Sequence, residues 1–225
     1  MKAAVLKDKK DLVLVDREIP VPGEGEVLIR VEVCGICFTD YAAYSGKRNN
    51  YEPPVVLGHE FSGVVEDTGD SVTGVKIGDE VIVSPAAFCG RCRDCRTSNE
   101  HYCSDGAVIG GDGFDKFYDG AFAEYTVVPD STLYKMPNNI SFEEGALTEP
   151  LAGSYKGMIE KSDLKVGEDV VIIGAGSMGN LLVQVASAAG AGNIIAVDIS
   201  DHKLKFAKES GATDILNSTE LDELR

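Results

Sequence analysis

The sequence predicts a β-rich domain followed by an α/β domain built on a parallel, doubly wound sheet. Three observations carry that prediction. Short β-branched runs separated by Gly, Pro, Asp and Asn fill the stretch from Met1 to about Pro137. A regular alternation of strand and helix patterns begins after Lys165. Between them, Ser141 and Glu144 stand three apart at the head of the first strong helical pattern, the spacing of a capping box.

In the first part, VLIRVEV (27–33), SGVVED (62–67), DEVIVS (79–84) and AEYTVV (123–128) read as strands of a turn-rich domain in which helix signals are sparse. In the second, the order is a strand from Val170 to Gly174, a helix from Ser177 to about Ala189 and a strand from Asn193 to Asp198. A helix from Ser200 to about Ser210 and a short strand from Asp214 to Leu216 follow. The expected domains are 1–150 and 151–225, with the boundary in the helical stretch from Ala146 to Lys161. Only about three strands of a sheet that usually holds six precede Arg225.

The chain has 225 residues, and its 44% hydrophobic content is that of a folded globular protein. A net charge of −16 argues against nucleic acid and anionic membrane surfaces as partners. The N-terminal MKAAVLKDKKDLVLVD lacks the apolar core of a signal peptide and no later run approaches a membrane-spanning length, so a soluble cytoplasmic protein is expected. In that reducing compartment, four of six cysteines crowded between Cys89 and Cys103 point to metal rather than disulfides.

The run VVIIGAGSMGN sets Gly174, Gly176 and Gly179 in a G-x-G-x-x-G directly after a strand and at the opening of a helix. The first glycine permits the tight turn, the second lets the backbone approach a pyrophosphate, and the third lets helix pack close to strand. Ser177 and Met178 complete the turn at the helix N-terminus, which favours negative charge. Asp198 ends the next strand 19 residues after Gly179, where a carboxylate binds the adenosine ribose hydroxyls. It would repel the extra phosphate of NADP, and no arginine follows it, so NAD is the expected cofactor. Lys203 is a further candidate at the adenosine end, against the plainer reading of a solvated helix residue.

Cys89, Cys92, Cys95 and Cys103 read C-x2-C-x2-C-x7-C, enough sulfur to close a tetrahedral all-thiolate zinc shell. A full shell leaves no open position, so this zinc braces a loop and performs no chemistry. His101, within the loop, reads as a surface residue. Cys37, His59 and Glu60 offer a second set of zinc ligands, since a catalytic zinc takes three protein groups and keeps one place open. By themselves, a cysteine and a histidine so spaced are more often core residues than ligands. Cys34, three before Cys37, lacks a thioredoxin-like context and reads as a small buried residue.

The signature G-H-E-x2-G-x5-G-x2-V is met by Gly58, His59, Glu60, Gly63, Gly69 and Val72, with IGDEV (77–81) following. On these residues, with the cysteine lobe and the glycine fingerprint in the same order, the chain resembles the zinc-dependent medium-chain dehydrogenase/reductase family over essentially its whole length. The resemblance implies a GroES-like catalytic domain, then a Rossmann domain continuing beyond Arg225, two zinc ions, and homodimers or homotetramers formed through the nucleotide domain.

It also implies Cys37 and His59 as catalytic zinc ligands, Asp40 as the acid orienting His59, and Thr39 as the hydroxyl taking the proton of an alcohol. The third ligand position falls at Glu149 in LTEPLAG. Glu there matches polyol and threonine dehydrogenases, whereas alcohol dehydrogenases of the animal and plant type have Cys. Either Glu60 is the third ligand with Glu149 behind a water, or Glu149 ligates with Glu60 exchanging in. Thr39, Asp40 and Glu60 are thus the catalytic candidates for oxidation of a secondary alcohol, polyol or sugar alcohol, to a ketone by NAD.

Amino alcohol oxidation of the L-threonine dehydrogenase kind is one alternative. A zinc- and NAD-binding chain without turnover is another, and residues 1–225 alone are expected to bind zinc and turn over poorly. Phe38 stands where the family usually has a small or polar residue, and Ala42 where many members have a histidine that passes the proton to solvent. A proton leaving Thr39 would then run through the nicotinamide ribose to water.

Overall fold

The computed structural model describes residues 1–48, 53–111 and 116–219 and divides into two units, Met1–Glu149 and Pro150–Arg225. In the first, β1 (Lys2–Asp8), β2 (Asp11–Asp16), β3 (Glu26–Cys34), α1 (Phe38–Tyr44), β4 (Val55–Val56), β5 (Phe61–Thr68) and β6 (Glu80–Val83) come in that order. Next are β7 (Ala86–Ala87), α2 (Arg93–Arg96), β8 (Ala107–Ile109), β9 (Lys116–Tyr118), β10 (Tyr125–Pro129) and β11 (Leu133–Lys135). Helix α3 (Phe142–Tyr155) carries the chain across the division between the units.

The four runs expected as strands supply four of the five strands of an antiparallel sheet, ordered β10-β3-β5-β6-β11. Their alternate apolar side chains meet on one face, where Val27, Ile29, Phe61, Val65, Val81, Val83 and Val128 form a core with almost no exposure. A second sheet, β2-β1-β4, packs Leu6, Val55 and Leu57 against Ala43 of α1. The third, β7-β8-β9, is small, and it matters because β7 and β8 wall a cavity described below.

Helix α1 lies where the sequence offers little helix signal, since Thr, Asp and Tyr are indifferent helix formers. Its first turn is closed by tertiary chemistry. Cys37 is the cap residue, and its N–H donates to the Asp40 carboxylate at 2.8 Å. Helix α3 starts as expected: the Ser141 N–H donates to Glu144 Oε2 at 2.8 Å and the Glu144 N–H donates to Ser141 Oγ at 3.3 Å. Ser141→Ala is expected to lower stability by about 1 kcal/mol, read as a shifted urea midpoint.

The second unit continues α3 through a π-helical stretch (Lys156–Lys161) into β12 (Val170–Ile173), α4 (Ser177–Ala188), β13 (Ile194–Asp198), α5 (Asp201–Glu209) and β14 (Asp214–Asn217). The strands pair in parallel in the order β12-β13-β14, with Val170 opposite Ile194 and Ile195 opposite Asp214. This is the parallel alternation of strand and helix expected, with element ends shifted by a residue or two. Ile172, Val183, Ala186, Ile194, Ala196 and Leu204 make its core. Among the described residues no helix is long and apolar enough to cross a membrane.

Candidate metal centre and dinucleotide site

Strand pairing brings the first cluster together. In the β3–β5 ladder Cys34 lies opposite Phe61, so the exit of β3 and the entry of β5 are neighbours. The Gly35 N–H donates to the Glu60 carbonyl at 2.7 Å and extends that contact beyond the ladder. Cys37 then turns the chain into α1, while His59 and Glu60 lead into β5. Gly58 fits this corner because φ is +97° there, and an added Cβ would lie 2.6 Å from the Phe122 ring and 2.9 Å from Cys34 Sγ. The result is that ligand atoms of Cys37, His59 and Glu60 lie within 4.8 Å of one another.

Asp40 sits behind this group, with its side chain 3% exposed. Oδ2 takes the Cys37 N–H, Oδ1 takes the Gly58 N–H at 3.3 Å, and Oδ1 faces His59 Nδ1 at 3.5 Å. The last is a charge contact rather than a hydrogen bond, and His59 Nδ1 is a buried nitrogen with no hydrogen-bond partner among the described residues. On the other side of the ring, Thr39 Oγ1 lies 3.4 Å from Nε2. Burial works against charge on His59, but Asp40 and then Cys37 outweigh it and hold the imidazole at about 9 without metal. Ser62, fully buried next to Glu60, donates its hydroxyl to the Phe142 carbonyl at 2.6 Å and docks the start of α3.

Glu149, two turns along α3, is outside the close group. It is near enough to feel it: burial raises its carboxyl above the ordinary range, Glu60 adds to that, and His59 opposes. Cys34 is also pressed by its surroundings, its thiol pushed up to about 12 by burial and by Asp40 and Glu60. It reads as a packing residue under Gly58, as the sequence suggested. Phe38 is 71% exposed and rests on Tyr41, while Ala42 is buried inside α1.

Next to the cluster is a cavity of about 200 Å³ lined by Thr39, Arg48, His59, Pro85, Ala86, Val108 and Gly111. Spacing in the sequence gives no hint of Arg48 or of this apolar wall, because β7 and β8 are too short to carry a pattern.

The cysteine lobe is drawn together as expected. Cys89 Sγ lies 3.9 Å from Cys95 Sγ, and Cys92 Sγ lies 4.0 Å from Cys103 Sγ. Thiolates about 2.3 Å from a tetrahedral zinc stand roughly 3.8 Å apart, so the four sulfurs fit the ion and are far beyond disulfide distance. Backbone N–H groups of Cys89, Cys92 and Cys95 each approach a lobe sulfur at 3.4 Å, the arrangement that stabilises thiolates. Donors from Arg91 and Cys92 bring Cys89 down to about 6, whereas burial drives Cys95 up to about 12. His101 is exposed and stacks on Tyr102, outside the sulfur group.

In the second unit the three glycines occupy three different environments. Gly174 has φ +96°, Gly176 has nothing within 4 Å of an added Cβ, and Gly179 packs so tightly that a Cβ would sit 1.8 Å from the Gly174 carbonyl oxygen. Turn, open approach and close packing are the requirements of a pyrophosphate loop. Ser177 and Met178 are exposed at the start of α4, and Asn180 Nδ2 braces the loop from Ala175 O and Gly176 O at 2.7 and 3.1 Å. Asp198 reaches the same loop: Oδ2 takes the Ala175 N–H at 2.8 Å and Oδ1 the Ser200 N–H at 3.0 Å. The Ala175 donor holds its carboxyl below the ordinary range. Lys203 Nζ stands 3.9 Å from Asp198 Oδ2 with its side chain half exposed. Gly179→Ala is expected to destabilise this unit by several kcal/mol and to remove dinucleotide binding, checked by thermal melting and by NADH fluorescence titration.

Two family models match the chain. One is described as the alcohol dehydrogenase GroES-like domain, over residues 23–138, and the other as zinc-binding dehydrogenase, over residues 177–225. An L-threonine 3-dehydrogenase of Caldanaerobacter subterraneus subsp. tengcongensis is 37% identical across 96% of this chain and 62% of its own length. A sorbitol dehydrogenase of Bacillus subtilis is 36% identical across 100% of this chain and 63% of its own. Among solved structures, galactitol-1-phosphate dehydrogenase of Escherichia coli superposes with a TM-score of 0.88 at 32% identity, covering 98% of this chain and 62% of that one. The chain thus spans a little over three fifths of the length of these relatives.

Proposed function

The chain belongs to the zinc-binding alcohol dehydrogenase family, and from that premise we propose that it oxidises a secondary alcohol of the polyol class to a ketone with NAD as hydride acceptor. The observation that carries the reading is the convergence of Cys37, His59 and Glu60 next to Thr39 and the cavity. Thiolate, imidazole and carboxylate are the donor set of a catalytic zinc, and the orphaned Nδ1 of His59 facing Asp40 fits an imidazole whose other nitrogen goes to metal.

In this reading Cys37, His59 and Glu60 would hold the zinc, with Glu149 behind a water. Bound zinc supplies Lewis-acid polarisation of the hydroxyl, and bound NAD supplies the hydride acceptor. Asp40 fixes the His59 tautomer and ties down the backbone on both sides of the site. Thr39 Oγ1, next to His59 Nε2, takes the hydroxyl proton. Ala42 has no group to pass it on, so a proton taken by Thr39 would have to leave by another route. In the second unit, the N–H groups at Gly176 and Ser177 would hold the pyrophosphate and Asp198 the adenosine ribose. The second zinc, on Cys89, Cys92, Cys95 and Cys103, braces the lobe.

The sorbitol and galactitol-1-phosphate dehydrogenase relatives support the polyol class. The L-threonine 3-dehydrogenases among the relatives favour a second reading, oxidation of a hydroxy amino acid at the same centre. The test follows NADH absorbance with the complete gene product against sorbitol, xylitol, arabitol, galactitol 1-phosphate and L-threonine. Turnover of a polyol supports the first reading, turnover of threonine alone replaces it with the second, and zinc-loaded protein inert to all five contradicts both.

A further inference from the structure

We infer that Asn180 is a positioning residue for the dinucleotide: its one side-chain amide fixes two successive peptide units of the glycine loop, and so aims the N–H groups of Gly176 and Ser177 at a pyrophosphate. This rests on the reading of the second unit as a dinucleotide site and names what keeps that site in its binding form. Asn180 Nδ2 donates to the Ala175 carbonyl at 2.7 Å and to the Gly176 carbonyl at 3.1 Å. In a trans peptide the C=O and the N–H that follows it point in opposite directions across one plane. Holding the Ala175 carbonyl therefore turns the Gly176 N–H away from Asn180, and holding the Gly176 carbonyl does the same for the Ser177 N–H. The first N–H groups of a helix have no carbonyl ahead of them to bond, so these two are left for a ligand.

The loop needs such a hold because its own residues give little. Gly174 stands at φ +96° and a Cβ added to Gly176 would meet nothing within 4 Å, so no side chain of theirs resists rotation of the peptides between them. Ala175 lies before the cap residue Gly176, outside the hydrogen-bond ladder of α4, and its carbonyl relies on Asn180. Its N–H goes to Asp198 Oδ2 at 2.8 Å. Three peptides in a row are thus held by side chains, the first by Asp198 and the next two by Asn180. The amide has one orientation, since turned over it would set Oδ1 against two carbonyl oxygens. In that orientation Oδ1 is buried with no hydrogen-bond partner among the described residues. A leucine would avoid that cost, so the worth of Asn180 lies in its two donors.

The test measures adenosine and ADP-ribose binding to the complete gene product by titration calorimetry, with adenosine read by its competition against ADP-ribose. The two ligands share the adenosine, so the ratio of their dissociation constants reads mainly what the pyrophosphate contributes. Asn180→Leu is expected to lower that ratio about tenfold or more, with adenosine itself within about twofold of its affinity for the unaltered protein. Asn180→Ser keeps a hydroxyl that reaches the Gly176 carbonyl four residues back, and should give a smaller loss of the same kind. It carries the test alone if the leucine variant lacks a cooperative thermal transition. A ratio left unchanged, because both ligands weaken equally as a purely structural role would have it or because neither weakens, overturns the inference and leaves the dinucleotide reading standing. If the unaltered protein does not bind ADP-ribose, the dinucleotide reading falls and the role of Asn180 with it.

Discussion

Replacing Cys37 by serine is expected to take the zinc content of the chain from two ions to one, measured by plasma emission on protein dialysed against a weak chelator. The two metal-competent groups share no residue, so losing one leaves the other intact. At the Cys37 site a hydroxyl is a poor substitute for a thiolate, because zinc prefers soft sulfur and the serine stays protonated at neutral pH. The remaining ion should stay on the lobe, whose four sulfurs are already at tetrahedral spacing. A variant that still holds two ions would mean that Cys37 is a core residue.

The second large effect is expected at Asp40, which touches no ligand-bearing cavity yet organises the site. Asp40→Asn should weaken zinc binding at the Cys37 site by about 10- to 100-fold, read by competition with a chromophoric chelator. The carboxylate accepts from the backbone on both sides of the centre, at Cys37 and Gly58, and faces the orphaned His59 nitrogen. An amide has a single oxygen, so one of its two positions must set an NH2 against a donor in a place 3% exposed to water. The His59 ring is left without the acid that fixes its tautomer. Unchanged affinity would reduce Asp40 to the cap of a short helix.

Where periodicity or turn chemistry was strong, the sequence was enough. The β-branched runs became β3, β5, β6 and β10, the Ser141–Glu144 box became the start of α3, and the alternation after Lys165 became the parallel sheet. Each of those signals is local, since neighbouring residues state the preference themselves. Helix α1 was not legible, because its first turn depends on Asp40 reaching back to Cys37 and on a metal-competent corner assembled from β3 and β5. The same holds for the cavity wall, where two-residue strands carry no pattern and Arg48 arrives from a loop. As for the site, residue type and spacing brought out the cysteine lobe, and the glycine loop shows why each glycine is needed. The choice between Glu60 and Glu149 was open in the sequence because both carboxylates follow from the resemblance. The geometry supports Glu60, which stands in the close group while Glu149 acts on it from outside.

One chain is expected to hold a bracing zinc and a reactive zinc on separate ligand sets. Anomalous X-ray scattering on crystals of the zinc-loaded chain, collected on both sides of the zinc absorption edge, tests it most directly. Two peaks are expected, one among Cys89, Cys92, Cys95 and Cys103 and one bounded by Cys37, His59 and Glu60. A peak at the lobe alone, with nothing between Cys37 and His59 at saturating zinc, would contradict it.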